Sequence, residues 1–78
     1  MYQVGDEVIV VGRLRIQHSF VIGTIVTIEA VLKEDKVVIA RGFNRAGRIA
    51  SHFLAYEDIR PLIKNNEYYS ILLQEAQE

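Results

Sequence analysis

Five arginines and two phenylalanines are the side chains of this chain best suited to bind a charged or aromatic ligand. Guanidinium groups bind phosphate oxygens bidentately, and an aromatic ring offers a stacking surface for a base. The alternative is an ordinary solvated loop surface, because scattered arginines are common on protein surfaces. The candidate binding residues are Arg13, Arg15, Phe20, Arg41, Phe43, Arg45 and Arg48, with His18 in the same stretch as the first two arginines.

The two histidines, His18 and His52, are the residues to consider for metal binding or catalysis. Neither belongs to a ligand pattern such as His-Glu-x-x-His. Ser19 follows His18, but adjacent side chains of a strand or loop point apart, and the sequence places no carboxylate to orient a base. We therefore expect no metal, no cofactor and no catalysis.

The segment from Gly42 to Gly47 has glycine at each end, as some phosphate-binding loops do. It joins two predicted strands, however, and no helix follows it to supply aligned backbone amides. The segment therefore predicts a hairpin loop, in which Asn44 tolerates positive φ.

The composition is that of one small folded domain. The chain has 78 residues, of which 50% are hydrophobic and 24% are charged, as in ordinary globular domains. The absence of cysteine excludes disulfides and thiolate zinc sites and indicates a reducing cytoplasm. The first residues lack a signal-peptide pattern and the apolar runs are too short to cross a bilayer, so we expect no membrane association.

The charge is unevenly distributed along the chain. The net charge is -1, but residues 13–48 hold seven Lys or Arg against three Asp or Glu, while both ends are acidic. This permits a local anion-binding surface without a strong overall attraction to nucleic acid.

Apolar patterns predict five short strands. The β-branched run Val8 to Val11 predicts a first strand over 7–13, followed by a long loop over 13–21. Alternation over 24–33 predicts a second strand with Val26, Ile28, Ala30 and Leu32 facing the core. A tight turn at Glu34 and Asp35 leads into a third strand over 36–41.

The remaining predictions concern the second half of the chain. A fourth strand is expected over 48–55, then a single helical turn at 56–59 and a short edge strand at 60–62, because Pro61 cannot donate to a ladder. Three- and four-residue apolar spacing predicts an amphipathic helix over 67–77. Tyr69 and Leu72 of its apolar stripe are candidate binding residues if the helix does not dock on the strands. The expected division is a β domain over 1–63 and a helix over 64–78.

Three segments resemble the SH3-like barrels of small bacteriophage and bacterial proteins: Val4-Gly5-Asp6-Glu7-Val8, Ile22-Gly23-Thr24-Ile25 and Tyr56-Glu57-Asp58-Ile59-Arg60-Pro61-Leu62. The resemblance covers about residues 3–62. It implies a mainly β fold, a small five-stranded SH3-like barrel with a C-terminal helix. It also implies a phage-type accessory protein that grips a host enzyme or complex. The related KOW motif would need a second glycine near Val26, where this chain departs from it.

Three functions follow as hypotheses. The first is a non-catalytic protein-interaction module that modulates a cytoplasmic, host macromolecular complex. The second is a KOW-like barrel that binds nucleic acid with the basic face between Arg13 and Arg48. The third is a homodimeric structural protein.

Overall fold

The computed structural model describes residues 2–62, which form five antiparallel strands in a single sheet. The strands are β1 (Glu7–Val10), β2 (Ile25–Leu32), β3 (Val37–Phe43), β4 (Ile49–Ala55) and β5 (Ile59–Pro61). A 3-10 helix, η1 (Tyr56–Asp58), joins β4 to β5. The prediction of a mainly β chain with five short strands is therefore confirmed. The predicted helix over 67–77, with Tyr69 and Leu72, lies outside the described residues.

The strand order across the sheet is β4-β3-β2-β1-β5, so the chain begins near one edge and returns to it. β5 pairs with β1, with Pro61 opposite Val8, and it occupies an edge, as the missing amide hydrogen of Pro61 requires. β4 occupies the other edge and pairs with β3 along its whole length. Residues 11–24 connect β1 to β2 and are hereafter called the long loop; only Phe20 in it makes a strand-like bridge, to Asn44.

The main apolar cluster lies against one face of the sheet and consists of aliphatic side chains together with Phe20, while Ile9, which alternates with Val8 and Val10 along β1, is also fully buried. The cluster contains Val8, Val10, Phe20, Val26, Ile28, Val38, Ala40, Leu54 and Ile59, with Val31 packed against it. Phe20 is fully buried there, so its side chain belongs to the core and does not form the binding surface expected from the sequence. Burial of a phenylalanine ring from the long loop ties that loop to the sheet.

A β-bulge changes which residues of β2 face the core. Ile28 lies opposite Ala40, whereas Ala30 lies opposite Ile39, so Glu29 is an extra residue. One extra residue reverses the alternation beyond it. The prediction that Ala30 and Leu32 face the core is therefore wrong: Val31 packs on the core and Leu32 is exposed.

The two hairpin turns also differ from their predicted bounds. β2 and β3 are joined by four residues, and Lys36 takes a φ of 54° there. Gly42 lies inside β3, not in the next turn as predicted. A Cβ on Gly42 would lie 2.6 Å from Val26 Cγ1, so glycine lets the core side chain of β2 approach the β3 backbone. The turn itself runs from Asn44 to Arg48.

Candidate interaction surface

The long loop is fixed to the rest of the molecule by a buried carboxylate. Asp58, in η1, has no exposed surface. Its side chain accepts hydrogen bonds from the backbone amides of Leu14 (3.0 Å) and Arg15 (3.4 Å), and its carbonyl accepts one from Val11 (2.8 Å). Gly12 is needed beside it, because a Cβ there would lie 2.9 Å from Asp58 Oδ1. The loop therefore has a defined position at its start.

Arg13 and His18 hold the second half of the long loop. The Arg13 guanidinium donates to the carbonyl oxygens of His18 (3.3 Å) and Phe20 (2.6 Å). His18 Nε2 lies 2.8 Å from the Gly12 carbonyl oxygen, and His18 Nδ1 accepts from the Phe20 amide (3.2 Å). These partners select the His18 tautomer with its proton on Nε2. Arg13 and His18, both predicted to bind a ligand, therefore use their polar atoms in hydrogen bonds within the loop.

Arg15 is directed toward the β2–β3 turn and η1. Its guanidinium donates to the Asp35 carbonyl oxygen (2.9 Å) and lies 3.9 Å from the Glu57 carboxylate. Both side chains of the Arg15–Glu57 pair are about half exposed, so the ion pair adds little stability. Arg15 therefore closes the space between the loop and the turn.

The face of β3 and β4 turned away from the core carries large exposed apolar side chains. Phe43 is 60% exposed, Ile49 is 56% exposed and Phe53 is 53% exposed. Register places Phe43 opposite Ile49, and Phe53 opposite the half-buried Ile39. We call this surface the outer face. Its members are Thr27, Glu29, Leu32, Ile39, Arg41, Phe43, Ile49, Ser51 and Phe53.

A polar row crosses the outer face between its two apolar pairs. Arg41 lies between Thr27 on β2 and Ser51 on β4. The bulged Glu29 accepts a hydrogen bond from the Ser51 hydroxyl (2.6 Å). A groove of about 380 Å³ opens here, with Thr27, Glu29, Arg41, Gly42, Phe43 and Ile49 as its lining. Polar groups of fixed position within an apolar surface are what a specific binding site needs.

Three predicted binding arginines stay available near the outer face. Arg41 is exposed on β3, and Arg45 and Arg48 are exposed in the adjoining turn. The backbone of that turn is ordered by the Asn44 side chain, which accepts from the amides of Ala46 and Arg48. Within residues 2–62 no acceptor contacts the guanidinium groups of these three arginines. The basic set is thus divided between the packed loop and the β3–β4 hairpin.

Ser19 and His52 form a contact that sequence reasoning missed. The Ser19 hydroxyl lies 2.6 Å from His52 Nε2, and the Phe20 ring packs edge-on against the His52 ring at 4.9 Å. Ser19 therefore pairs with the distant histidine and not with its neighbour His18. No carboxylate of the described part of the chain contacts His52, so the pair lacks the third group that orients a catalytic base.

A second cavity, of about 510 Å³, lies at the N-terminal side of η1. It is lined by Tyr2, Gln3, Lys33, Lys36 and Tyr56. The two tyrosine rings meet edge to face at 5.1 Å. Burial raises the pKa of the Tyr2 hydroxyl, the charge of Arg60 opposes that rise, and Tyr56 adds to it. The cavity is separate from the outer face, since the two share no lining residue.

Comparison of the chain with protein-family models, curated proteins and solved structures finds no match. Across residues 2–62, no helix has the length and apolar character needed to cross a membrane. The same residues contain no group of three or more His, Asp or Glu side chains that could hold a metal ion.

Proposed function

We propose that this protein is a non-catalytic protein-interaction module that binds its partner through the outer face. The observation that carries the proposal is the cluster of Phe43, Ile49 and Phe53, all more than half exposed on two neighbouring strands. Several large apolar side chains exposed on one face of a folded protein often mark a binding site. Aromatic side chains are also enriched among residues that dominate binding energy.

The charges of the outer face favour a protein partner over nucleic acid. Arg41 is the only cation among the residues of the outer face. Glu29 lies on β2, two residues after Thr27, which is the residue paired with Arg41. A carboxylate beside the groove repels phosphates, whereas a protein partner can match both charges. The resemblance to phage-type barrels makes a host protein complex the first class of partner to test.

We further propose that the sheet curls into a small SH3-like barrel that stays open at the edge of β4. The strand order β4-β3-β2-β1-β5, the 3-10 turn before β5 and the bulge at Glu29 support this. Bulges and glycines inside strands, such as Gly42, are the devices that bend sheets toward closure. Loops often carry function in small domains, so the assignment to the outer face needs a direct comparison with the long loop.

The test compares two substitutions of matched chemistry. Phe53→Asp places a charge on the outer face, and Leu14→Asp places the same charge on the long loop, where Leu14 is 88% exposed. Tagged wild-type and variant proteins are used to capture partners from the lysate of the natural host, with quantitative mass spectrometry. We expect a partner retained by wild type and Leu14→Asp to be lost with Phe53→Asp. Loss with Leu14→Asp alone would overturn the assignment.

Nucleic-acid binding is the second candidate because Arg41 and Arg45 stand two residues before and two residues after the exposed Phe43, and Arg48 ends the same turn. An exposed ring between cations suits a stacked base and its phosphates. Fluorescence anisotropy with labelled single- and double-stranded oligonucleotides at low and high salt tests it. Salt-dependent binding that disappears in the triple variant Arg41→Glu, Arg45→Glu, Arg48→Glu would support this function, and its absence in wild type would remove it.

A further inference from the structure

The edge of β4 that faces away from β3 has no strand paired to it among residues 2–62. The sequence of β4, Ile-Ala-Ser-His-Phe-Leu-Ala, contains no Lys, Glu, Asp, Arg or Pro. Natural proteins usually protect an edge strand with charge, proline, a bulge or a covering segment. β4 has a regular register over all seven residues and none of the first three devices.

The register shows which backbone groups of β4 point outward. Outside the ends of the two strands, the Asn44 amide donates to the Arg48 carbonyl (2.8 Å), and the Tyr56 amide donates to the Lys36 carbonyl (3.0 Å). Hydrogen-bonded and non-hydrogen-bonded pairs alternate along an antiparallel ladder. Hydrogen-bonded pairs therefore recur at every second residue inward from Arg48 and from Tyr56. The backbone groups of Ala50, His52 and Leu54 accordingly bond to β3. The amides and carbonyls of Ile49, Ser51 and Phe53 therefore point away from the sheet.

We propose that a second copy of this chain pairs antiparallel with this edge, with the two-fold axis at Ser51. The outward groups of Ile49, Ser51 and Phe53 are those that such a pairing would use. With Ser51 opposite its own copy, Ile49 falls opposite Phe53 of the second copy, and Phe53 opposite Ile49. β-Branched and aromatic residues form favourable cross-strand pairs. A two-fold interface must be self-complementary in this way.

The opposite face of β4 fits the same register. Ala50 would lie opposite His52 of the second copy, so that a small side chain meets a large one on each side of the axis. β4 has no formal charge, so no like charges meet across the axis. The two outer faces become continuous, with Phe43, Ile49 and Phe53 of each copy on one surface. The dimer would thus present two partner sites side by side.

The first test is a cross-link at the axis. Residues of a hydrogen-bonded pair have Cα atoms about 5.5 Å apart, which a disulfide can bridge. The chain has no cysteine, so Ser51→Cys introduces a single thiol. Under mild oxidation we expect Ser51→Cys to form a covalent dimer. The control Thr27→Cys, exposed on the same face but five strand spacings, about 24 Å, from its copy, should stay a single chain.

The second test is the mass in solution. Wild type should sediment at twice the mass of one chain, and Ser51→Lys should sediment as a single chain because two lysines would meet at the axis. Thr27→Lys adds the same charge to the same face away from the edge and should remain dimeric. Circular dichroism checks that each variant is folded. A wild type that stays monomeric at about 1 mM, or a dimer that survives Ser51→Lys, would overturn the proposal.

Phe53 belongs to both proposals, because it pairs with Ile49 across the dimer edge and is exposed on the outer face. A monomeric wild type that still loses its partner with Phe53→Asp would remove the dimer and leave the proposed function standing. A dimeric wild type, together with a Phe53→Asp variant that keeps its partner, would remove the proposed function and leave the dimer standing.

Discussion

The long loop and the outer face differ in which side chains have partners within the protein. In the loop, Arg13, Arg15 and His18 direct their side chains to backbone oxygens within the protein, and Asp58 takes up the amides. On the outer face, Phe43 and other large apolar side chains remain exposed beside a small polar row. These polar side chains of the loop have hydrogen-bond partners within the protein, whereas the large apolar side chains of the outer face remain exposed to solvent.

An arginine-rich loop, as this contrast shows, need not be a binding site. A guanidinium with five donors can organise a loop by bonding carbonyl oxygens, which Arg13 does at two positions. Such a residue contributes through the shape it gives the chain. Exposed apolar side chains on rigid strands make the stronger argument for a partner, because hydrophobic burial is what their contact with a partner would add.

The largest effect is expected at the buried carboxylate of the loop. Asp58→Ala should lower the free energy of unfolding by about 3 kcal/mol, because two backbone amides lose a charged acceptor in a buried place. Urea unfolding measures this. Glu57→Gln, in the same 3-10 helix but exposed, is the control and should change the value by no more than about 0.5 kcal/mol. Equal effects of the two variants would show that the loop is not held by Asp58.

A second large effect is expected where the outer-face strand meets the core. Gly42→Ala should cost about 2 kcal/mol, because its Cβ would overlap Val26. Val26→Ala makes room for that Cβ, although it leaves a cavity when made alone. The double variant should therefore lose less stability than the sum of the two single losses, as measured by a double-mutant cycle in urea. Additive losses would contradict the proposed overlap.

How much of this could be predicted from sequence depends on the range of the interaction. Strand positions follow from local patterns such as Val8 to Val11, and the edge position of β5 follows from Pro61. The bulge at Glu29 depends on pairing with β3, and it made the predicted core face of β2 wrong beyond Ile28. Nothing in the sequence near Glu29 marks it as an extra residue.

The outer face could not be predicted from the sequence, for a related reason. β4 has apolar residues on both faces, with Ile49 and Phe53 alternating with Ala50 and Leu54. Alternation alone cannot tell which set is buried when both are apolar. The sequence likewise predicts Phe20 as a binding residue, because nothing local indicates that a loop phenylalanine enters the core. The contact between Ser19 and His52 joins residues far apart in the chain and has no local signal.

A smaller effect on the free energy of unfolding is expected at high pH, from the hydroxyl of Tyr2. Burial raises the pKa of Tyr2, so the folded state favours the protonated phenol. This contribution is present below pH 10, the usual tyrosine value, and is lost as the pH rises through the higher folded pKa. Stability should therefore fall above pH 10, and less steeply in Tyr2→Phe. Identical slopes in urea titrations of the two proteins would contradict this.

A paired measurement of partner capture decides whether the outer face binds the partner while the long loop only stabilises the fold. Phe53→Asp and Leu14→Asp carry the same change at exposed positions of the two regions. We expect both variants to stay folded, Leu14→Asp to keep the captured partner and Phe53→Asp to lose it. Retention by Phe53→Asp together with loss by Leu14→Asp would contradict this expectation and assign binding to the loop.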